Sequence, residues 1–417
     1  MMRFSGKTVK GVITPPPSKS YTHRAFFLSA LSPGSCKVSN ALDSRDTGAT
    51  LNAIEAMGAE VRIRSDGIEI ISNGLHAPDR VVDADNSGTT MRLFTGIASM
   101  FGSPVTITGD ASLRSRPMGP LLDALSEMNV KCSSDNGKAP VTVCGPNKGG
   151  DVRIKGNVSS QFVSSLMMTA PMLAADTAIH IDGVLSSGPY LNITENMMKH
   201  FGSDIVTNDS VIRIKGGTGY KGHDITIPSD MSSASFPLVA GALGGSVTVR
   251  NMDMDGPQGD KRIVDILKEA GADVSIRGNE VTVSANELKA MNIDMGDIPD
   301  LFPIVAVLLC TAPGKSVLYG APQLRFKESD RIKATADMLS ALGADVKETD
   351  DGCVISGVNR LKGGKAEHHE DHRILMSAAV ASLLCDNEVT MTNSGCYDVS
   401  YPLFPDHLRK LGMNAEV

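Results

Sequence analysis

The sequence predicts an α/β protein of two similar domains, each holding three copies of one strand-and-helix unit. Three observations predict it. An amphipathic helix, a Gly or Asn stop and a short strand recur in that order six times, roughly every 70 residues. Each recurrence also has a second, more apolar helix that opens from a polar loop. Finally, 417 residues are too many for one core and suit two domains of about 200 residues each.

The amphipathic helices end in LNAIEAMGAE (51–60), LLDALSEMNV (121–130), ITENMMKHFG (193–202), IVDILKEAGA (263–272), TADMLSALGA (335–344) and FPDHLRKLGM (404–413). Their stops are Gly58, Asn129, Gly202, Gly271, Gly343 and Gly412, the residue types that close helices in a left-handed conformation. The apolar helices begin in PPPSKSYTHRAFFLSAL, DADNSGTTMRLFTGIA, GNVSSQFVSSLMMTAPML, IPSDMSSASFPLVAGAL, GDIPDLFPIVAVLLC and EDHRILMSAAVASLL. They are apolar nearly all round, which predicts buried helices. The stretches VTIT (105–108), VTV (141–143), IRI (212–214), VTV (281–283) and VTM (389–391) read as strands. One unit is therefore strand, buried helix, strand, amphipathic helix and a closing pair of strands.

Proline marks the seams, at Thr14-Pro15-Pro16-Pro17 and Ile227-Pro228. With both at one hinge, residues 1–14 join 228–417 in a discontinuous domain, and 15–227 form the other. Aromatics make up 4% with no Trp, so the core is expected to be aliphatic and rich in Met. The longest apolar run, LFPIVAVLLC (301–310), is too short for a membrane span and reads as a buried helix. The N-terminus lacks an apolar signal region, so no signal peptide is expected. Seven cysteines without CxxC spacing suit a reducing cytoplasm. A net charge of −7 leaves no electrostatic footprint for nucleic acid, and the chain is expected to act as a monomer without a membrane partner.

Polar loops at the starts of buried helices offer anion sites, because free N–H groups and the helix dipole point outward there. For Asp230 or Ser232 an ordinary helix cap is the preferred reading. Capping does not explain the cations: Lys19 and Arg24 in the first opening, Arg92 in the second and Arg373 in the last. Arg114-Ser115-Arg116-Pro117 and Lys327-Glu328-Ser329-Asp330-Arg331 add more. Any one of these reads as a solvated surface group. Their recurrence at equivalent positions of an acidic chain predicts a cleft between the domains for a small polyanionic substrate pair, since Arg forks bind carboxylate and phosphate.

Ser20 and Arg24 stand four apart, on one helix face suited to a carboxylate. Gly88 permits close approach of a ligand to the backbone, although an ordinary cap explains that segment equally well. Ser159, Ser160 and Gln161 follow Gly156 as a phosphate cradle. Lys327 and Arg331 are expected on one face with Glu328 between them in sequence, an arrangement for proton transfer beside a bound anion. Asp300, before the most apolar helix, is either its cap or a general base; local sequence favours the cap. Residues 217–222 match GxGxxG but lead into HDITI and are expected to form a hairpin loop. His368, His369 and His372 suggest a metal weakly, because Asp371-His372-Arg373 also fits a helix start facing an anion. The cysteines read as core.

Together, PPPSKSYTHR, DADNSGTTMR, LRSRPM, NVSSQF, SSGPY, DIPD, LRFKESDR and EDHR make the chain similar to the 5-enolpyruvylshikimate-3-phosphate synthases over essentially its whole length. The resemblance implies two domains of three βαβαββ units in an inside-out α/β barrel, hinged by two crossovers. It implies transfer of the enolpyruvyl group of phosphoenolpyruvate to the 5-hydroxyl of shikimate 3-phosphate, with no metal or organic cofactor. Carried over by motif, Ser20 and Arg24 would hold the shikimate carboxylate, and Ser159, Ser160 and Ser187 its phosphate. Gln161 and Tyr190 would lie along the ring, with Asp300, Gln323 and Lys327 near the hydroxyls; Lys19 belongs to both substrates. Phosphoenolpyruvate would meet Lys19, Gly88, Arg116, Gln161, Arg331 and Arg373. Asp300 would take the hydroxyl proton and Glu328 deliver one to the methylene carbon, with Lys19 as a third catalytic group.

Two departures stand out. Gln323 occupies a position where many members have Asn, and Tyr401-Pro402-Leu403-Phe404-Pro405 lacks the Lys that some carry before the late Phe-Pro pair. With Gly88 unsubstituted, glyphosate is expected to compete with phosphoenolpyruvate, which an inhibition assay checks directly. The sister family, UDP-N-acetylglucosamine enolpyruvyl transferase, places a reactive Cys before the Arg-Pro pair, whereas Gly109-Asp110-Ala111-Ser112-Leu113-Arg114 has no thiol. A non-catalytic six-repeat binding module, such as a nucleic-acid clamp, lacks the basic stripe that it would need.

Overall fold

The computed structural model describes residues 1–156, 159–183, 187–208 and 210–417. By contacts the chain divides into two compact units, Pro17–Ile227 and the discontinuous pair Met1–Pro16 and Pro228–Val417.

In the unit Pro17–Ile227 the helices are α1 Lys19–Leu31, α2 Arg45–Ala56, α3 Gly88–Ala98, the short α4 Ala111–Ser115, α5 Gly119–Glu127, α6 Ser160–Thr169 and α7 Pro189–His200. The other unit carries α8 Met231–Gly244, α9 Ile263–Glu269, α10 Phe302–Leu309, α11 Arg331–Ala341, α12 His372–Ala381 and α13 Phe404–Lys410. α1, α3 and α6 are buried on nearly every side and form the middle of one core; α8, α10 and α12 do the same in the other. All eight residues of α10 are buried, as expected for so apolar a segment. The remaining long helices bury one face only.

Among the described residues the strands form six four-stranded sheets with one recurring order. In one, Gly150–Lys155 lies parallel to Thr177–Asp182, with Val152 opposite Ile179. That second strand is antiparallel to Val211–Ile214, and Ile205–Asn208 takes the edge. The inner helix is the crossover that joins the parallel pair. At the two chain crossings the first strands are exchanged. Val9–Ile13, which leads into α1, pairs with Gly245–Val249, and Ile225–Thr226, which leads into α8, pairs with Gly34–Ser39. Met2–Ser5 fills the last sheet between Val389–Met391 and Asn414–Glu416.

The six stops share one geometry. Gly58, Gly202, Gly271, Gly343 and Gly412 have φ between 81° and 102°, and Asn129 has 63°. In each case the next residue's N–H reaches back to the carbonyl five positions earlier, as Ala59 N to Ile54 O at 3.1 Å. The glycine run 217–222 differs from the expectation of a hairpin loop. It connects Val211–Ile214 to Ile225–Thr226 in another sheet, because the latter pairs with Val38–Ser39 rather than with the strand before it. Among the described residues no helix is long and apolar enough to cross a membrane.

Candidate active site

In Pro17–Ile227 the polar groups collect where the inner helices begin. Ser18 opens α1 without a side-chain cap, and Lys19 follows, its Nζ donating to Asp46 Oδ2 of α2 at 3.1 Å. One turn on, Arg24 is 1% exposed. Its guanidinium donates to Thr194 Oγ1 at 2.8 Å, Ser20 O at 2.9 Å, Ser164 Oγ at 3.3 Å and Tyr190 O at 3.4 Å. Burial lowers its pKa to about 10, opposed by Tyr190 and Tyr21. Ser20 and Arg24 thus meet through a backbone carbonyl as well as sharing a face.

Gly88 starts α3, capped by Ser87. A Cβ there would stand 3.1 Å from Arg116 Nη1, so the glycine leaves room for that guanidinium. Arg116 is buried and donates from Nη2 to Asn86 Oδ1 at 2.8 Å and Ser112 Oγ at 3.3 Å. Its Nε has no partner among the described residues, and neighbouring Arg114 is exposed. Only one of that arginine pair therefore faces inward. Gln161 bridges two helices, accepting from Arg92 Nη1 at 2.6 Å and donating to Thr89 Oγ1 at 2.9 Å. Ser159 caps α6, Ser160 is buried behind it, and buried Ser187 sits at φ 60° with its carbonyl accepting from Tyr190 N. Of the two surrounding motifs, Asn157, Val158 and Ser186 lie outside the described residues.

The other unit gathers its site around one side chain. Arg331, 1% exposed, donates to three carboxylates: Nε to Asp371 Oδ2 at 2.9 Å, Nη1 to Asp300 Oδ1 at 3.0 Å and Nη2 to Glu328 Oε2 at 2.6 Å. Asp300 also meets Arg373 Nη2 at 2.9 Å and Lys327 Nζ at 4.0 Å. Asp371 caps α12 through Arg373 N at 2.9 Å while it holds Arg331. Gln323 is buried nearby in sequence, its Nε2 donating to Gly296 O at 3.1 Å. Burial alone would raise the Asp300 pKa; the charges of Arg373, Lys327 and Arg331 overcome it and hold the carboxyl far below its ordinary range. For Arg331 burial works against the charge, and Asp371, Glu328 and Asp300 more than restore it.

Two local expectations are corrected here. Asp300 is not a helix cap: it lies in the short turn Pro299–Leu301, and the residue before α10 makes no side-chain cap. A helix-start position looks the same in sequence whether its carboxylate turns to N–H groups or to distant cations. Lys327 and Arg331 do not share a helix face either, because α11 begins at Arg331. They are joined instead through Asp300.

Two acids of the site, Asp46 and Asp260, carry no signal in the sequence, and Asp371 does more than its helix-start position implies. Asp46 follows Arg45, which pairs with Asp85 instead, and only its opposite charge to Lys19 could have suggested that pair. Asp371 looked like a cap and is also a partner of Arg331. Asp260 is buried, accepts from the Ser232 hydroxyl, and is pushed up to about 7 by burial and then by the Asp300 charge. The three histidines do not converge as a set. His368 instead approaches Glu370 and Cys396, with ligand atoms within 4.8 Å of one another. Its Nε2 bonds Thr392 O at 3.0 Å and its Nδ1 accepts from Glu370 N at 3.1 Å, so a metal would have to displace existing bonds.

The profile of the EPSP synthase (3-phosphoshikimate 1-carboxyvinyltransferase) family matches residues 5–408. The chain is 46% identical to the 3-phosphoshikimate 1-carboxyvinyltransferase of Methanocorpusculum labreanum, covering 98% of this chain and 97% of the relative. It is 39% identical to that of Methanocaldococcus jannaschii, with the same coverage. The EPSP synthase structure from Acinetobacter baumannii superposes with a TM-score of 0.83 at 30% identity, over 100% of this chain and 99% of that one. With the profile and full-length relatives agreeing, the chain belongs to the EPSP synthase family.

Proposed function

We propose that the protein transfers the enolpyruvyl group of phosphoenolpyruvate to the 5-hydroxyl of shikimate 3-phosphate and releases phosphate. Family membership over the full chain supports the substrates. The observation that carries the chemistry is the meeting of Asp300 and Glu328 on one buried guanidinium, Arg331.

The reaction needs two acid–base groups. A proton goes to the methylene carbon of phosphoenolpyruvate, the 5-oxygen bonds to the neighbouring carbon, and the hydroxyl proton leaves. Loss of phosphate and of one methyl proton then restores the vinyl group. Glu328 is our proton donor, and Asp300, kept ionised by its cations, our acceptor of the hydroxyl proton. Arg331, Arg373, Arg116 and Lys19, with the N–H groups at Gly88, are assigned to phosphoenolpyruvate and to the charge that grows on its oxygens. Ser20, Arg24, Ser159, Ser160, Ser187, Tyr190, Asp300, Gln323 and Lys327 are assigned to shikimate 3-phosphate, with Lys19 and Gln161 shared by both substrates.

Phosphate release from phosphoenolpyruvate, measured with shikimate 3-phosphate or UDP-N-acetylglucosamine and a chelator present, tests the reading. Release with shikimate 3-phosphate alone is expected. Release with the nucleotide sugar alone would place the activity with the sister enzymes, and release with neither would withdraw the residue roles.

A further inference from the structure

Four buried polar side chains link α1, α2 and α3, and none of them belongs to the substrate sets above. His23 Nδ1 lies 2.7 Å from Thr50 Oγ1, Thr50 Oγ1 2.7 Å from Thr90 Oγ1, and Thr90 Oγ1 2.8 Å from Ser87 Oγ. Thr90 also stands 3.3 Å from the carbonyl oxygen of Asp46. All four side chains are wholly buried. Because Asp46 holds Lys19 and Ser87 caps the turn at Gly88, the contacts tie both groups into one network, a ring only when the α1 backbone from Lys19 to His23 is counted.

Counting protons gives the network a direction. A carbonyl only accepts, so Thr90 donates its hydroxyl proton to Asp46 O. Its oxygen must then accept from Thr50 and from Ser87. Thr50, having donated to Thr90, accepts from His23, which requires a proton on Nδ1. Ser87, having donated, keeps a lone pair for Thr90 N, which it meets at 3.2 Å. The one remaining site, His23 Nε2, is buried with no partner among the described residues and carries no proton in this scheme. Burial, then the charges of Lys19 and Arg24, hold His23 well below its ordinary pKa, so the imidazole is neutral.

We propose that His23, Thr50, Thr90 and Ser87 form a directed brace that sets the Lys19 ammonium against the N-terminal turn of α3, making them positioning residues for the phosphoenolpyruvate site. This rests on the assignment of Lys19 and Gly88 to that substrate. Rigid placement matters here because a cation and a set of N–H groups bind one small anion well only at fixed separation.

Thr90→Val removes the three contacts of the central hydroxyl and His23→Leu the single contact at the end, each roughly keeping volume. Both are expected to raise KM for phosphoenolpyruvate about tenfold, the usual size for a buried hydrogen bond broken on one side. Turnover and KM for shikimate 3-phosphate, which has most of its assigned groups outside the brace, should move less than KM for phosphoenolpyruvate. His23→Asn, whose side-chain amide can donate where Nδ1–H does, should restore most of the loss. Nitrogen-15 spectra of histidine-labelled protein, with His23 assigned by its absence in His23→Asn, should show Nδ1 protonated and Nε2 bare at neutral pH. Unchanged KM for phosphoenolpyruvate in both deletion variants, or a proton on Nε2, would overturn the brace. If the variants fail to fold, the spectrum of the unaltered protein decides. A wild type that turns over neither acceptor fails the functional reading, and the tautomer still tests the brace.

Discussion

Glu328 can deliver a proton only when it carries one, and in this structure it accepts from Arg331 Nη2 at 2.6 Å. An anion arriving at Arg331 competes for that guanidinium and adds negative charge beside Glu328. Glu328→Gln keeps the shape and a hydrogen bond but has no proton to give. We expect kcat to fall by about 100- to 10,000-fold, the range for losing a general acid. Binding of shikimate 3-phosphate, followed by calorimetry, should stay within a few-fold. A near-wild-type rate would remove Glu328 from the mechanism.

At the scale of elements, the helix stops can be tested as a series. Gly343 has φ 97° and a missing Cβ that would lie 3.1 Å from Lys362 Cγ and 3.2 Å from Lys362 N. Gly343→Ala should therefore lower stability by roughly 1–2 kcal/mol through the left-handed backbone alone, read as a fall in Tm. Asn129 fills the same slot at φ 63°, so Asn129→Gly should change Tm little or raise it. Equal losses in the two variants would mean that the stops are not held by backbone conformation. These stops, and the buried helices with them, were legible in the sequence because their signals are local: a spacing of 3.6, a Gly, an all-apolar run. Asp300 was not. Its partners Arg331 and Arg373 lie 31 and 73 residues on, and a helix-start Asp carries no mark of which neighbour it will meet. Asp46 and Asp260 escaped notice for the same reason, since each is defined by a tertiary partner. The loop 217–222 was misread because a hairpin and a strand exchange begin with the same turn residues.

For the molecule as a whole, the ion sets decide how stability responds to pH. A count of cations in the sequence suggests an open anion trap. Around Arg331 the structure instead shows Lys327, Arg331 and Arg373 matched by Asp300, Glu328 and Asp371. Two of these acids have lowered pKa values. Burial works to raise both, but Arg373, Lys327 and Arg331 hold Asp300 down, and Arg331 with His372 holds Asp371 down. Their contribution is present above the ordinary carboxylate range and is lost on acidification. Asp260 has the opposite sign. Its pKa is raised to about 7, so folding favours the protonated form. That contribution is complete below about pH 4, the pKa of an unfolded Asp, and disappears as pH rises through about 7. Asp260→Asn imitates the neutral carboxyl and should remove this dependence. At pH 4 its Tm should nearly match the wild type. By pH 8 it should be the more stable of the two, by a margin on the order of 4 kcal/mol for a shift of this size. Melting curves at half-unit pH steps check it. A constant offset between the two proteins from pH 4 to 8 would mean that Asp260 keeps one charge state throughout, and that the Arg331 set sits beside a permanently ionised fourth acid.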